Sequence, residues 1–323
     1  MPAFHIPVVD VAGARSTDPR RRAEVARAFG DALEQVGFVT VVGHAVDAAL
    51  MTATYDVLRE FFALPTTDKL ASCPPEKAKF RGYLPVGIES VAATLTGETP
   101  PDLCEALVFR ALSRPSAQPP IWPEQPAGLR ALVERYDQAL ESLGKDLMRL
   151  SALALDLPEH HFDRYFDEPA AVLRFVNYPD QPEMPLPGQL RYGAHHDYGG
   201  LTILRQDAAP GGLEICDAGG AWHAVPPSGN GFVINVGDLM SRWTNGRWRS
   251  TLHRVVNPAR ELTGSTQRLS MVVFFGPNEE SDITCLPSCV SAENPARWPA
   301  VKAGEYIRAK IARSMELTAS SAA

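Results

Sequence analysis

From Arg20 to Val36, apolar residues recur at helical spacing: Ala23, Val25, Ala26, Phe29, Leu33 and Val36. That period predicts an amphipathic helix, and Gly37 supplies its stop, because glycine readily takes the backbone turn past a helix C-terminus. Phe38–Val42 predicts a strand, with Ile6–Asp10 a shorter one before it. A second helix is predicted from Asp47 to Phe62 and stopped by Leu64-Pro65, with Thr66-Thr67-Asp68 capping a short helix after it. Residues 72–101 read as loop, and 114–126 carry Pro115, Pro119, Pro120, Pro123 and Pro126. Gly128 to Leu157 is the longest helical pattern, with Leu129, Leu132, Val133, Tyr136, Leu140, Leu143, Leu147 and Leu150 on one side.

After Pro169 the period changes from helical to two. Val172–Tyr178, Leu201–Leu204, Leu213–Cys216, Gly231–Val236, Leu252–Val256 and Arg268–Phe275 all predict strands, punctuated by Gly, Pro and Asn. Short strands so spaced indicate an antiparallel sandwich or jelly roll. Tyr306–Met315 closes the chain with a predicted helix. The fold class expected is mainly β with helical additions.

The chain has 323 residues, 45% of them hydrophobic, enough for a sizeable core. It carries 31 Lys plus Arg against 38 Asp plus Glu, a formal net charge of −7. Without a basic stripe, nucleic acid is not expected as a partner, and the acidic balance disfavours anionic membrane surfaces. No apolar run approaches the ~20 residues that span a bilayer. The start, Met1-Pro2-Ala3-Phe4-His5, lacks the pattern of a secretory signal. Cys73, Cys104, Cys216, Cys285 and Cys289 are odd in number and scattered, which fits free thiols in a reducing compartment, so a cytoplasmic location is expected. Cys285 and Cys289 lack a second Cys/His pair for a zinc site.

The chemistry concentrates in three places. Gly193-Ala194-His195-His196-Asp197-Tyr198-Gly199 offers a histidine and a carboxylate two residues apart, on one face of a strand, with His196 pointing away. Leu252-His253-Arg254 offers a second imidazole, expected to reach the metal from across the sandwich. Two histidines and one carboxylate with open positions are the ligand set of non-haem Fe(II) oxygenases. Arg268 and Ser270 share a face of an otherwise apolar strand, where a guanidinium fork and a hydroxyl can hold a carboxylate. Tyr178 can add its phenol to the same acid or serve as an ordinary sheet tyrosine. His5, His44, His160, His161 and His223 are read as structural or solvated, His44 as a turn residue.

At these residues the chain resembles the 2-oxoglutarate- and Fe(II)-dependent dioxygenases of the isopenicillin N synthase-like superfamily. Ile6–Asp10, Gly37-Phe38-Val39 with Gly43-His44, and Arg81-Gly82-Tyr83 look like its N-terminal region. Tyr178-Pro179, His195-x-Asp197, Asn245-Gly246 with Ser250–Val255, and Arg268-x-Ser270 look like its catalytic region. The resemblance implies a double-stranded β-helix (jelly roll) core. It also implies iron ligation by His195, Asp197 and His253, and binding of the distal carboxylate of 2-oxoglutarate by Arg268, Ser270 and Tyr178. One catalytic domain is expected, with an N-terminal α/β region at 1–115, a support helix at 126–157, the jelly roll at 170–290 and a C-terminal helix at 302–317. Many relatives have a Lys-Glu pair where this chain has Cys104-Glu105, which puts substrate contacts borrowed from there in doubt.

The reaction so implied converts 2-oxoglutarate and O2 to succinate and CO2 while hydroxylating or desaturating a small organic metabolite, with secondary metabolism the expected setting and ascorbate stimulating. Phe80, Tyr83, Tyr198 and Leu204 are substrate-contact candidates from their positions. Three alternatives stand beside it: an oxidase or oxidative cyclase of the same fold that uses Fe(II) and O2 without 2-oxoglutarate, a non-catalytic jelly-roll binding module, and a zinc hydrolase. Oligomeric state is not legible.

Overall fold

The computed structural model describes residues 4–75, 81–97, 99–110, 112 and 119–321. The N-terminal part runs β1 (Val8–Asp10), α1 (Pro19–Gln35), β2 (Phe38–Val42), α2 (Ala48–Ala63), α3 (Thr66–Leu70), β3 (Gly82–Leu84), α4 (Ala93–Thr96) and β4 (Glu105–Arg110). The long α5 (Leu129–Ala154) leads into β5 (Ala170–Tyr178), β6 (Tyr192–His195), β7 (Leu201–Gln206), β8 (Gly212–Cys216), β9 (Trp222–Ala224) and β10 (Phe232–Val236). After α6 (Asp238–Trp243) come β11 (His253–Val256), β12 (Arg268–Gly276), β13 (Asp282–Ile283), β14 (Val301–Lys302) and α7 (Ala303–Ser321).

Local chemistry accounts for the helix starts. Asp18 and Asp47 each accept a hydrogen bond from the backbone N–H two residues on, at 2.9 Å, satisfying a donor that the first turn leaves open. Pro19 opens α1, where its missing N–H costs nothing. The buried face of α1 is Ala26, Phe29, Gly30, Ala32 and Leu33, while Ala23 is exposed. Thr66, Thr67 and Asp68 lie inside α3 instead of capping it; Pro65 stands at the cap with no side-chain bond.

The strands form two layers. The large sheet has the order β1-β2-β10-β7-β12-β5-β4-β3 and the small one β6-β11-β8-β9. All pairings in both are antiparallel except β1 with β2. One face of the large sheet carries the main core with α1, α2 and α5. Val133, Tyr136, Leu140, Leu143 and Leu147 of α5 are buried there. The helix comes close because Gly144 has no side chain: a Cβ there would sit 2.8 Å from the Phe275 ring. The other face of the large sheet looks toward the small sheet, and the functional residues lie between the two layers.

Several elements depart from the sequence pattern. β3 and β4 lie in a stretch that read as loop or carried no assigned strand, and α6 was also unassigned. β4 is continuous and almost wholly buried, so its burial does not alternate along the strand. β3 is too short for a period to register. The support helix is 129–154 instead of 126–157, and the C-terminal helix extends to Ser321.

Candidate metal and 2-oxoglutarate site

The inner face of the large sheet is built of cross-strand rows. Arg268 lies opposite Tyr178, Ser270 between Val176 and Gln206, and Val272 between Arg174 and Leu204. Phe274 lies opposite Thr202, Thr202 opposite Asn235, and Asn235 opposite Phe38. These side chains line one pocket with Tyr192, His195, Asp197, Leu213, His253 and Val255. A second cleft between α1 and α5, lined by Arg22, Asp31, Glu159 and Arg247 among others, contains none of these groups.

His195, Asp197 and His253 converge at one end of the pocket. Their ligating atoms lie within 4.8 Å of one another. Asp197 Oδ1 is 3.7 Å from the Nε2 of each histidine. His253 pairs directly with His195 across β6 and β11, so the second imidazole comes from the neighbouring strand and not from across the sandwich. Asp197 lies beyond the end of β6; its carbonyl accepts from Asp238 N at 2.7 Å instead of from a strand partner.

Hydrogen bonds aim each ligand. His195 Nδ1 donates to Gly193 O at 2.9 Å and His253 Nδ1 to Thr251 O at 3.0 Å. A carbonyl can only accept, so both Nε2 lone pairs face inward. Gly193 N in turn donates to Asp102 at 2.8 Å, and Thr251 Oγ1 donates to Val36 O at 2.6 Å. The latter contact needs Gly37, since a Cβ there would come within 2.2 Å of Arg249 O. Thr202 Oγ1 and Asn235 Nδ2 both donate to Asp197 Oδ2 at 2.6 Å, which leaves Oδ1 for a metal.

The electrostatics favour ligation. Burial first, then the neighbouring His253, push the His195 imidazole far below its ordinary value, so it is neutral. Burial alone would raise Asp197. His253 and His195, with the Thr202 and Asn235 bonds, outweigh it and hold the carboxyl low and ionised. The neutral His195 imidazole and the ionised Asp197 carboxylate are in the protonation states that ligation of a divalent metal requires.

At the other end stands Arg268, 2% exposed. Its Nη1 donates to Asp207 O at 3.0 Å and Ala209 O at 3.1 Å, and Nη2 to Gln206 Oε1 at 2.5 Å. Nε is buried with no partner among the described residues, and Nη2 keeps one hydrogen to place. Two open N–H groups on a buried guanidinium fit a carboxylate. Ser270 and Tyr178 are buried beside it. Burial raises the Tyr178 phenol, which therefore stays a neutral donor.

The substrate candidates separate. Leu204 lines the pocket. Tyr198 lies against α7, its ring 5.8 Å from Lys310 Nζ, and is not among the lining residues. Tyr83 is 2% exposed, outside the pocket, and donates to Glu105 Oε2 at 2.5 Å. Phe80 lies outside the described residues. Glu105 has its cation after all: Lys69 of α3 binds it at 2.8 Å, while Cys104 packs with Val176, Tyr178 and Val255. His44, expected as a structural or solvated turn residue, is structural and lies outside the helices and strands. It is buried, with Nε2 donating to Asn230 O at 2.6 Å and Nδ1 accepting from Val46 N at 3.2 Å.

Sequence reasoning missed Thr202, Gln206, Asn235 and Arg174. The first two alternate with Leu204 along one strand face, and Asn235 interrupts the apolar run Phe232–Val236, so a signal was present. Arg174 is buried, 8% exposed, and pairs with Glu89 through both guanidinium ends, Nη1 to Oε1 at 2.9 Å.

Comparison with known proteins agrees with this geometry. Residues 168–277 match the 2OG-Fe(II) oxygenase superfamily, and residues 6–125 match the family described as non-haem dioxygenase in morphine synthesis N-terminal. The chain is 30% identical to the 2-oxoglutarate-Fe(II) type oxidoreductase hxnY of Emericella nidulans, over 95% of this chain and 90% of the relative. It is 31% identical to a homoarginine-6-hydroxylase of Oryza sativa subsp. japonica, over 89% of this chain and 88% of that one. A full-length Neurospora crassa protein solved in complex with alpha-KG superposes with a TM-score of 0.86 at 29% identity, covering 95% of each chain. That protein has also been solved with alpha-KG and thymine. The chain belongs to the 2-oxoglutarate- and Fe(II)-dependent oxygenase superfamily. It is a dioxygenase whose cofactors are Fe(II), at His195, Asp197 and His253, and 2-oxoglutarate. No helix among the described residues is long and apolar enough to cross a membrane.

Proposed function

We propose that this enzyme hydroxylates or desaturates a small organic metabolite, and that Arg268, Ser270 and Tyr178 hold the distal carboxylate of 2-oxoglutarate. The observation that carries the reading is that the metal triad and the half-open Arg268 guanidinium line the same pocket. When bound, iron would activate O2, which is the oxidant; 2-oxoglutarate would supply two electrons and take up one oxygen atom of O2, leaving as succinate and CO2, and the other oxygen atom would oxidise the substrate.

The chain's own residues do the rest. Gln206 turns its amide oxygen to Arg268 because its Nε2 is tied to Val225 O at 2.9 Å. Leu204, Leu213, Val255 and Val272 make the walls apolar, which strengthens the charge-assisted bonds at Arg268. The organic substrate is assigned to the region around Arg174, Tyr192, Val272 and Phe274. Arg174 lies four positions along the β5–β12 ladder from the Arg268 row, roughly 13 Å at ~3.3 Å per residue. Homoarginine, for which the rice relative is named, and thymine, held by the Neurospora protein, are small and polar. A polar group meeting Arg174 and Glu89 is consistent with such a substrate.

The test is succinate formation by anaerobically iron-loaded protein exposed to O2 with 2-oxoglutarate, with and without a panel of small polar metabolites. Succinate whose yield rises with one panel member is the expected result. O2 consumption without succinate would overturn the 2-oxoglutarate assignment in favour of an oxidase.

A further inference from the structure

Arg268 is held from behind by groups that play no part in the chemistry described so far. Its Nη1 lies 3.4 Å from Asp207 Oδ1, so a carboxylate of the protein itself competes for the guanidinium. Left unpartnered, Asp207 would neutralise Arg268 and weaken its attraction for an incoming anion. Three other donors engage it as well. Ala209 N donates to Oδ1 at 3.1 Å, and Leu269 N and the Tyr55 hydroxyl donate to Oδ2 at 2.8 and 2.7 Å.

Tyr55 comes from α2, on the opposite side of the large sheet from the pocket. Two guanidinium groups lie near its ring, Arg59 at 5.8 Å and Arg205 at 5.5 Å from the centroid. Arg59 Nη1 donates to the Tyr55 oxygen at 3.1 Å, so the hydroxyl hydrogen is left for Asp207. Arg59 Nη2 reaches Gln267 Oε1 at 3.4 Å, and Gln267 Nε2 donates to Asn177 Oδ1 at 3.0 Å. Gln267 and Asn177 flank Arg268 and Tyr178 in sequence. The chain of bonds thus grips the strands that carry the anion-binding pair.

Resting on the 2-oxoglutarate reading above, we infer that Tyr55, steadied by Arg59, is a positioning residue. It draws Asp207 away from Arg268 and so raises the affinity for the distal carboxylate of the co-substrate without touching it. Hydrogen bonds to charged groups are individually strong enough for one lost hydroxyl to be read in a binding constant.

The experiment is anaerobic calorimetric titration of the full Mn(II)-loaded chain with 2-oxoglutarate and with 2-oxobutyrate, a 2-oxo acid that lacks the distal carboxylate. Tyr55→Phe keeps the ring and removes only the hydroxyl. It is expected to weaken 2-oxoglutarate binding ~3- to 10-fold and to leave 2-oxobutyrate and Mn(II) binding unchanged. Thr54→Ala, a neighbour buried on the same helix whose hydroxyl bonds to Leu50 O at 2.8 Å, controls for damage to α2 and should move neither. Equal binding of 2-oxoglutarate by Tyr55→Phe and the parent, or equal weakening of both acids, would overturn the inference. A parent protein that fails to bind 2-oxoglutarate would overturn the functional reading itself, and that outcome is visible before any variant is made.

Discussion

His253 stands directly opposite His195 across the β6–β11 pair, their ring centroids 4.1 Å apart, and the pairing shifts register immediately afterwards, between His253 and Val255. Cross-strand neighbours are the closest side chains two strands can offer. This pair therefore sets the Nε2 spacing before any metal arrives. Replacing His253 by Ala removes one of three ligands and should weaken Fe(II) binding by more than the roughly 10- to 100-fold typical of outer-shell losses. Competition against a chelating dye would measure it. Circular dichroism should be unchanged, and retained stoichiometric iron at micromolar protein would remove His253 from the site.

Asp197 depends on two donors. With Asn235→Ala or Thr202→Val, Oδ2 loses one 2.6 Å bond and the carboxylate is freer to rotate. Iron affinity should fall roughly 10- to 100-fold with the three ligands intact. The same dye competition reads this, and an unchanged affinity would show that the carboxylate is fixed by the backbone alone.

Arg268→Ala should raise the 2-oxoglutarate concentration for half-maximal turnover by at least roughly 100-fold, because two charge-assisted bonds of ~1.5–3 kcal/mol each are lost. Metal binding should be intact. An unaltered 2-oxoglutarate requirement would exclude Arg268 from the pocket's anion site.

Asp137, on the buried face of α5 and 7% exposed, has its carboxyl pushed by burial, and next by Glu141, from 3.8 to about 7. A folded value above the unfolded one means the native state holds its proton more tightly. Stability then falls as pH rises from about 4 to about 7 and stays low above that window. Asp137→Asn should therefore raise the melting temperature at pH 8.5, with a ceiling of about 4 kcal/mol from a rise of ~3 units at ~1.36 kcal/mol each. The gain should shrink toward pH 4.5. A difference independent of pH would mean that Asp137 titrates normally.

The parts of this molecule legible in its sequence are those with a period or a fixed short spacing. β2 falls where Phe38–Val42 predicts it, and β5, β7, β10 and β12 lie within two residues of expectation. His195-x-Asp197 and Arg268-x-Ser270 identify themselves because each spacing is local. Strand pairing does not. Nothing between residues 195 and 253 says that these histidines share a sheet, so the expectation placed His253 in the opposite layer. Tyr83 misled for a related reason. Its position suggested a pocket, but the partner that claims it, Glu105, lies 22 residues on and is itself held by Lys69 and Asn177. The supports at Tyr55 and Asp207 are 152 residues apart and have no sequence pattern in common.

The iron ligands come from the small sheet and the turn that leaves it, whereas Arg268 and Ser270 stand on the large one. A dicarboxylic acid gripped at both ends must bridge from one layer to the other. The separation of the layers thereby becomes a gauge of molecular length. On the proposed binding, a 2-oxo diacid one carbon shorter would fall short of one end, and one a carbon longer would exceed the gap. Discrimination among metabolic 2-oxo acids is then a property of how far apart the scaffold holds its sheets, and repacking between the layers would retune it with every polar contact left in place.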